Sequence, residues 1–341
     1  MSEGLDVLHI HNGDCSANIA KQSSLPGEHF AWREALVGGP TPAGLDGASW
    51  RSIRAQHLAE CYGLDSKECE RELLAQEKKL ASFKEHDEAV LWFEHDLFCQ
   101  IHLAYILDWF SQRDTGKTTV SLICVGKFPG RRNFRGLGEL TADELASLFP
   151  DRNSVSATQL QIASTAWKAY CFPDPTKIER LMRTDTSSLP FLAPALNAHL
   201  RRFPSTRNGL GAIENRGLEI IHGGVKNFVD VFSQFGRSEP AYGLGDAQFW
   251  DALQRLTTAK EPLLTTADGN GASDELTTSS QLTPAKASKT SFELTKTGES
   301  VLKGETDFVA LNGIDLWLGG VHLHDPANLW RWNEQSKTII P

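Results

Sequence analysis

Two segments hold the residue types with which chemistry can be done. His11-Asn12-Gly13-Asp14-Cys15-Ser16 follows a short apolar run at 5–10, and Glu94-His95-Asp96 follows another at 89–93. A carboxylate held at the end of a strand can serve as a general base, so Asp14 and Glu94 are the candidate catalytic residues. Asn12, Gly13, Ser16 and Asp96 are candidate ligand-binding residues beside them, joined by Gly126, which ends a third apolar run at 119–125. Three carboxylates at one cleft repel a bare phosphate. That leaves a divalent cation bridging them to an anion, or a cationic or hydroxyl-bearing ligand held directly. An alternative makes Asp14 or Ser16 a helix cap, with Glu94 and Asp96 stabilising the start of the following helix through its dipole.

Two arginines are candidates to complement the carboxylates. Arg33 lies in Trp32-Arg33-Glu34, before Gly38-Gly39-Pro40, and can clamp an anion or pair with Glu34 or another carboxylate. Arg135 lies with Arg131 and Arg132 in a glycine-containing loop that leads to Thr141 and Glu144, spaced as a capping box. Gly13 and the helix start after it can offer backbone N–H groups to an anion. The segment nevertheless lacks both the dinucleotide GxGxxG and the P-loop GK[ST], so no cofactor is named. His9 and His11 share a strand face, and His95, Cys99 and His102 have helical spacing. Such residues suit zinc or manganese, but no HExxH frame surrounds them and no metal ligand is assigned.

These residues need elements to position them. Strand, polar turn and helix recur through residues 1–150, which predicts an α/β domain with a Rossmann-like, mostly parallel sheet. Ligands of such sheets sit beyond the carboxyl ends of the strands, where the candidate residues gather. Residues 151–265 read as a helical domain in which the turn at 204–210 gives a helix-turn-helix outline. His199, Arg201, Arg202, Arg207 and Arg216 surround that turn. Small polar residues at 266–291 read as a linker or loop. A strand and capped helix at 292–304, then paired strands at 307–311 and 316–323, give the 292–341 segment a winged-helix-like α+β outline. Trp317, Trp330 and Trp332 are its expected hydrophobic clamp.

Composition narrows the classes. The 341 residues are 40% hydrophobic and 23% charged, which excludes wholesale disorder, collagen and coiled coil. With 34 basic against 43 acidic side chains the net charge is -9, so most of the surface repels a nucleic-acid backbone. Only residues 151–265, with 13 basic and 11 acidic, escape that objection. Nucleic-acid contact through Arg201, Arg202, Arg207 and Arg216 is therefore possible but not favoured. No stretch approaches the roughly 20 apolar residues of a membrane span, and the amino terminus has no basic start before an apolar run. The six cysteines are scattered without a CxxC pair, as expected of reduced thiols. A cytoplasmic protein is expected.

HIHNGDCSAN at 9–18, WREALVGGP at 32–40, VLWFEHDLFCQ at 90–100 and FRGLGELTADEL at 134–145 together resemble a bacterial family catalogued as domain of unknown function 1835. LTKTGESVL at 294–302 and NGIDLWLGGVHL at 312–323 resemble the tail that often accompanies it. The resemblance implies acidic residues where Cys99 and Asn333 stand, and it brings no activity with it. The leading expectation is a protein that binds a small polar or anionic ligand in the strand-end cleft and passes the ligand state to the helical and winged modules. The alternative is a transferase or hydrolase for a small anionic metabolite or nucleotide, with Asp14 or Glu94 as base and Arg33 as clamp.

Overall fold

The computed structural model of the protein describes residues 5–266, 284–327 and 329–341. Most of the polar stretch read as a linker, 267–283, lies outside the described residues.

Apolar runs bounded by polar turns become buried strands: β1 (Val7–Asn12), β2 (Glu28–Trp32), β3 (Glu88–Glu94) and β4 (Thr119–Val125). They pair in parallel, and the short β5 (Asn153–Ser154) adds an antiparallel edge, giving the order β2-β1-β3-β4-β5. The connections are α1 (Asp14–Ala20) from β1 to β2, α2 (Gly47–Tyr62) and α3 (Ser66–Ala81) from β2 to β3, and α4 (Leu97–Ser111) from β3 to β4. After β1 the chain moves outward to β2, then returns past β1 to β3. The strand order therefore reverses between β1 and β3, whose ends carry Asn12 and Glu94. Such a reversal opens a crevice, because the connections leave in opposite directions.

Strand alternation sorts the sheet's faces. Leu8, Ile10, Leu91 and Phe93 face the main core, which includes α4, while Val7, Val90 and Trp92 pack with Ala20 of α1 and Leu145 of α5 (Ala142–Ala146). α4 is apolar on nearly every side because its outer face is covered too, by α6 (Ala157–Tyr170) and α8 (Leu192–Leu200). The helical region continues through α7 (Thr176–Met182), α9 (Ala212–His222), α10 (Phe228–Ser238) and α11 (Asp246–Thr258). Among the described residues no helix is long and apolar enough to cross a membrane.

The carboxyl-terminal part mixes short helices with antiparallel pairs. β6 (Leu264–Thr266) pairs with β7 (Phe292–Leu294), and α12 (Pro284–Lys289) precedes β7. Thr295 caps α13 (Lys296–Lys303), which stops at Gly304 in the left-handed conformation. The strand expected at 307–311 is instead a helix, α14 (Phe308–Asn312). Asp307 caps it by accepting from Ala310 N at 2.9 Å, and Arg331 holds Asp307 at 2.7 Å, so local capping overrides the β-branched and aromatic content. Two hairpins complete the chain: β8 (Leu316–Leu318) with β9 (Val321–Leu323), and β10 (Arg331–Asn333) with β11 (Thr338–Ile340). Of the three clamp tryptophans, Trp332 is buried, Trp330 packs against the core, and Trp317 stacks on His322.

The loop between α8 and α9 packs against the second hairpin. Thr206 N donates to Trp332 O at 2.9 Å, and Arg331 Nη1 reaches Ser205 O at 3.1 Å. Most of the basic cluster around this loop is engaged internally. Arg201 lies 3.8 Å from Glu239, Arg207 donates to Leu302 O at 2.6 Å, Arg216 pairs with Glu219 at 3.0 Å, and His199 is fully buried.

Candidate functional site

A cleft of about 350 Å³ opens where the strand order reverses. One wall comes from the sheet and its loops: Asn12, Ser16, Glu94, Asp96 and Arg135. The opposite wall comes from α10 and the turn after it, with Phe232, Phe235, Pro240, Gly243 and Leu244. Five of the nine candidate residues are thus brought together, on a surface shared between the sheet and the helical region.

The polar floor is a connected network. Asp96 caps α4 by accepting from Cys99 N at 2.8 Å, which presents the Cys99 thiol to the ends of both strands. Asn12 Nδ2 donates to Cys99 Sγ at 2.8 Å, and the thiol donates to Glu94 Oε2 at 3.1 Å. Glu94 Oε1 accepts from Leu137 N, and Gly136 makes that approach possible. A Cβ at Gly136 would lie 2.8 Å from Glu94 Oε1. Arg135 curls back onto Glu139, its Nε donating to Oε1 at 2.7 Å.

Burial and mutual repulsion set the protonation of this floor. Desolvation, then the charge of Asp96, pushes the Glu94 carboxyl up to about 7. Burial also raises Asp96 and drives the Cys99 thiol well above the ordinary thiol range. Glu94 can therefore donate or accept a proton near neutrality, while Cys99 stays protonated. Glu94, Asp96 and Cys99 place ligand atoms within 4.8 Å of one another, and two carboxylates with a thiol form a donor set acceptable to a zinc-like ion. A metal there would first have to displace the thiol proton.

The other candidates lie elsewhere. Asp14 neither caps α1 nor lines the cleft; Gly13 occupies the cap position without a side-chain bond. Asp14 instead makes a two-pronged contact with Arg33, both distances 2.7 Å, on an exposed surface. Hydrogen bonding to Arg33 lowers the Asp14 carboxyl and keeps it ionised. Arg33 pairs with Asp14 rather than with Glu34, which is occupied by the buried Arg54. Gly13, at φ +93, makes the turn, but its N–H donates to His11 O and Trp32 O and is not free for an anion. Gly126 is a packing glycine: a Cβ there would sit 2.8 Å from the Phe191 ring.

The histidine patterns resolve into packing. His9 accepts from Trp92 Nε1 at 3.0 Å and stacks on His29, while His11 Nε2 meets His29 Nδ1 at 3.1 Å. Burial lowers all three, His9 to about 4. His95, Cys99 and His102 diverge, with His102 Nε2 accepting from Leu36 N at 3.2 Å and His95 set edge-on to Phe191.

Sequence reasoning missed Glu139 and the whole 232–244 wall. Gly243 was the available signal: it has φ +61, and a Cβ there would fall 2.1 Å from Asp96 Oδ1. Gly243→Ala should force Asp96 and the turn apart and destabilise the protein by about 1–3 kcal/mol. A shift in the denaturation midpoint checks this, and an unchanged midpoint would contradict the close approach.

No protein-family model matches the chain, and no curated protein matches it.

Proposed function

We propose that this is a cytoplasmic ligand-responsive protein whose switch-point cleft binds a small polar ligand and couples it to the helical region. The carrying observation is the two-sided construction of the cleft: strand-end polar groups face residues 232–244 of the helical region. A ligand touching both walls changes the free energy of their contact, which is the physical requirement for passing a binding event onward. Glu94 and Asp96 favour hydroxyl or amine donors, and Arg135 offers a place for one anionic group. The resemblance to the domain of unknown function 1835 family belongs to the same proposal, since HIHNGDCSAN and VLWFEHDLFCQ are the segments that build the floor.

A thermal-shift screen of nucleotides, sugar phosphates and amino acids tests the reading, followed by hydrogen exchange with each stabilising compound. The expected result is slowed exchange across 232–244 together with the 135–139 loop. Glu94→Gln should weaken such a ligand by about 10–100-fold through loss of a charged hydrogen-bond acceptor, whereas Arg33→Ala should leave affinity unchanged. Loss of binding in Arg33→Ala with Glu94→Gln unaffected would move the site away from the cleft.

The enzyme reading narrows to Glu94. It is the carboxylate that reaches into the cleft from the switch point, whereas Asp14 lies outside with Arg33 as its partner. Turnover of any stabilising compound, abolished in Glu94→Gln, would establish it.

A further inference from the structure

A trough between α6 and α7, about 640 Å³ in volume, carries a charge opposite in sign to that of the whole chain. Its floor is apolar: Ala169 and Leu181 are buried, and Ile162 and Phe172 are half-buried. Lys168, Lys177 and Arg180 rim it, and among the described residues no carboxylate lines it. The chain has a net charge of -9, so on this face an acidic partner meets attraction where the average surface repels it.

Local contacts hold two of the three cations. Lys177 sets its ammonium over the Phe172 ring, 3.0 Å from the ring centre. Arg180 donates to Thr176 Oγ1 at 2.9 Å and lies 3.6 Å from Asp174, whose carboxylate accepts from Thr176 N and Oγ1 at 2.9 and 2.7 Å. Glu179, the carboxylate of α7 itself, accepts from Ile339 N of β11 at 2.5 Å and is committed there. Small-molecule sites bury most of their ligand, whereas Gln161, Thr165, Lys168 and Arg180 along this rim are exposed. From residue 161 to residue 169 the α6 wall runs about 12 Å, room for about two turns of a helix lying alongside. We propose that this trough docks an acidic amphipathic helix of a partner protein, its apolar stripe on Ile162, Phe172 and Leu181 and its carboxylates on the three rim cations. The surface is separate from the switch-point cleft and does not depend on the reading given to it.

Fluorescence anisotropy of the full chain with a dye-labelled synthetic helix of glutamate and leucine, the leucines repeating every third and fourth residue, tests this. The double variant Lys168→Glu, Arg180→Glu should weaken binding by about tenfold or more, since both reversed side chains are exposed and would face carboxylates. A peptide of the same composition with its leucines dispersed around the helix should bind about tenfold more weakly than the amphipathic one. Hydrogen exchange should slow across 161–184 on binding and stay unchanged across 232–244. Absence of helix binding, full affinity in the double variant, equal affinity for the dispersed peptide, or protection confined to 232–244 would each overturn the assignment. Binding of dodecanoate in place of the helix would overturn it in favour of a fatty anion. Self-association of the parent that the double variant abolishes would overturn it in favour of a second copy of the chain.

Discussion

Arg54→Ala should cost the protein about 3–5 kcal/mol of stability, the range for stranding one member of a buried ion pair. Arg54 has no exposed surface and meets Glu34 with two nitrogens, at 2.9–3.1 Å. It also donates to the carbonyls of Ala35, Gly38 and Pro40, at 3.1, 2.7 and 3.2 Å. One side chain thus fixes the loop that follows β2 and satisfies backbone acceptors that alanine would leave unpaired. Denaturant midpoints of Arg54→Ala and of the double variant Arg54→Leu, Glu34→Leu measure the two parts. The double variant should recover the stranded-charge component and stay below the parent by the lost carbonyl contacts. A single variant within 1 kcal/mol of the parent would mean that Glu34 is easily rehydrated.

Acidification below pH 6.5 should destabilise the protein steeply. His9, His11, His102 and His199 are fully buried, and desolvation holds each neutral, His9 down to about 4 and His102 to about 3. Their folded-state values lie below the unfolded value near 6.5, so below that pH the unfolded chain binds the extra protons. Their contribution is complete above pH 6.5 and is lost as pH falls from 6.5 towards 4. Each group removes about 1.4 kcal/mol per pH unit inside that window, and Glu94, raised in the folded state, opposes with the opposite sign. Denaturation midpoints should hold between pH 7.5 and about 6.5 and fall from there to pH 5, and His102→Gln should make that lower slope shallower by up to one proton. A flat profile would show that the buried rings take up protons in place.

The chain's local chemistry was written in its sequence. Apolar runs ending in polar turns marked β1, β3 and β4, because alternation and abrupt termination are properties of neighbouring residues. The capping box at Thr141 and the capped helix within 292–304 were legible for the same reason, and both form, the second with Thr295 as its cap. Asp307 shows the limit of pattern reading. Phe308, Val309 and Leu311 favour a strand by type, yet one cap and an arginine from residue 331 make the segment helical.

The candidate site divides along the same line. Sequence order placed Asn12, Ser16, Glu94, Asp96 and Arg135 at strand ends and in a nearby loop, and topology gathered all five at the switch point. Asp14 and Arg33 were equally plausible by residue type. They left the site because each met the other first on the outer surface, a pairing between residues 19 positions apart. The 232–244 wall had no local signature, since amphipathic helices look alike in sequence wherever they dock. Sequence by itself determined which segments become strands and helices, and which reactive groups stand at their ends. Only the tertiary structure decided which groups face one another, because burial, desolvation and ion pairing depend on distances across the fold rather than along the chain.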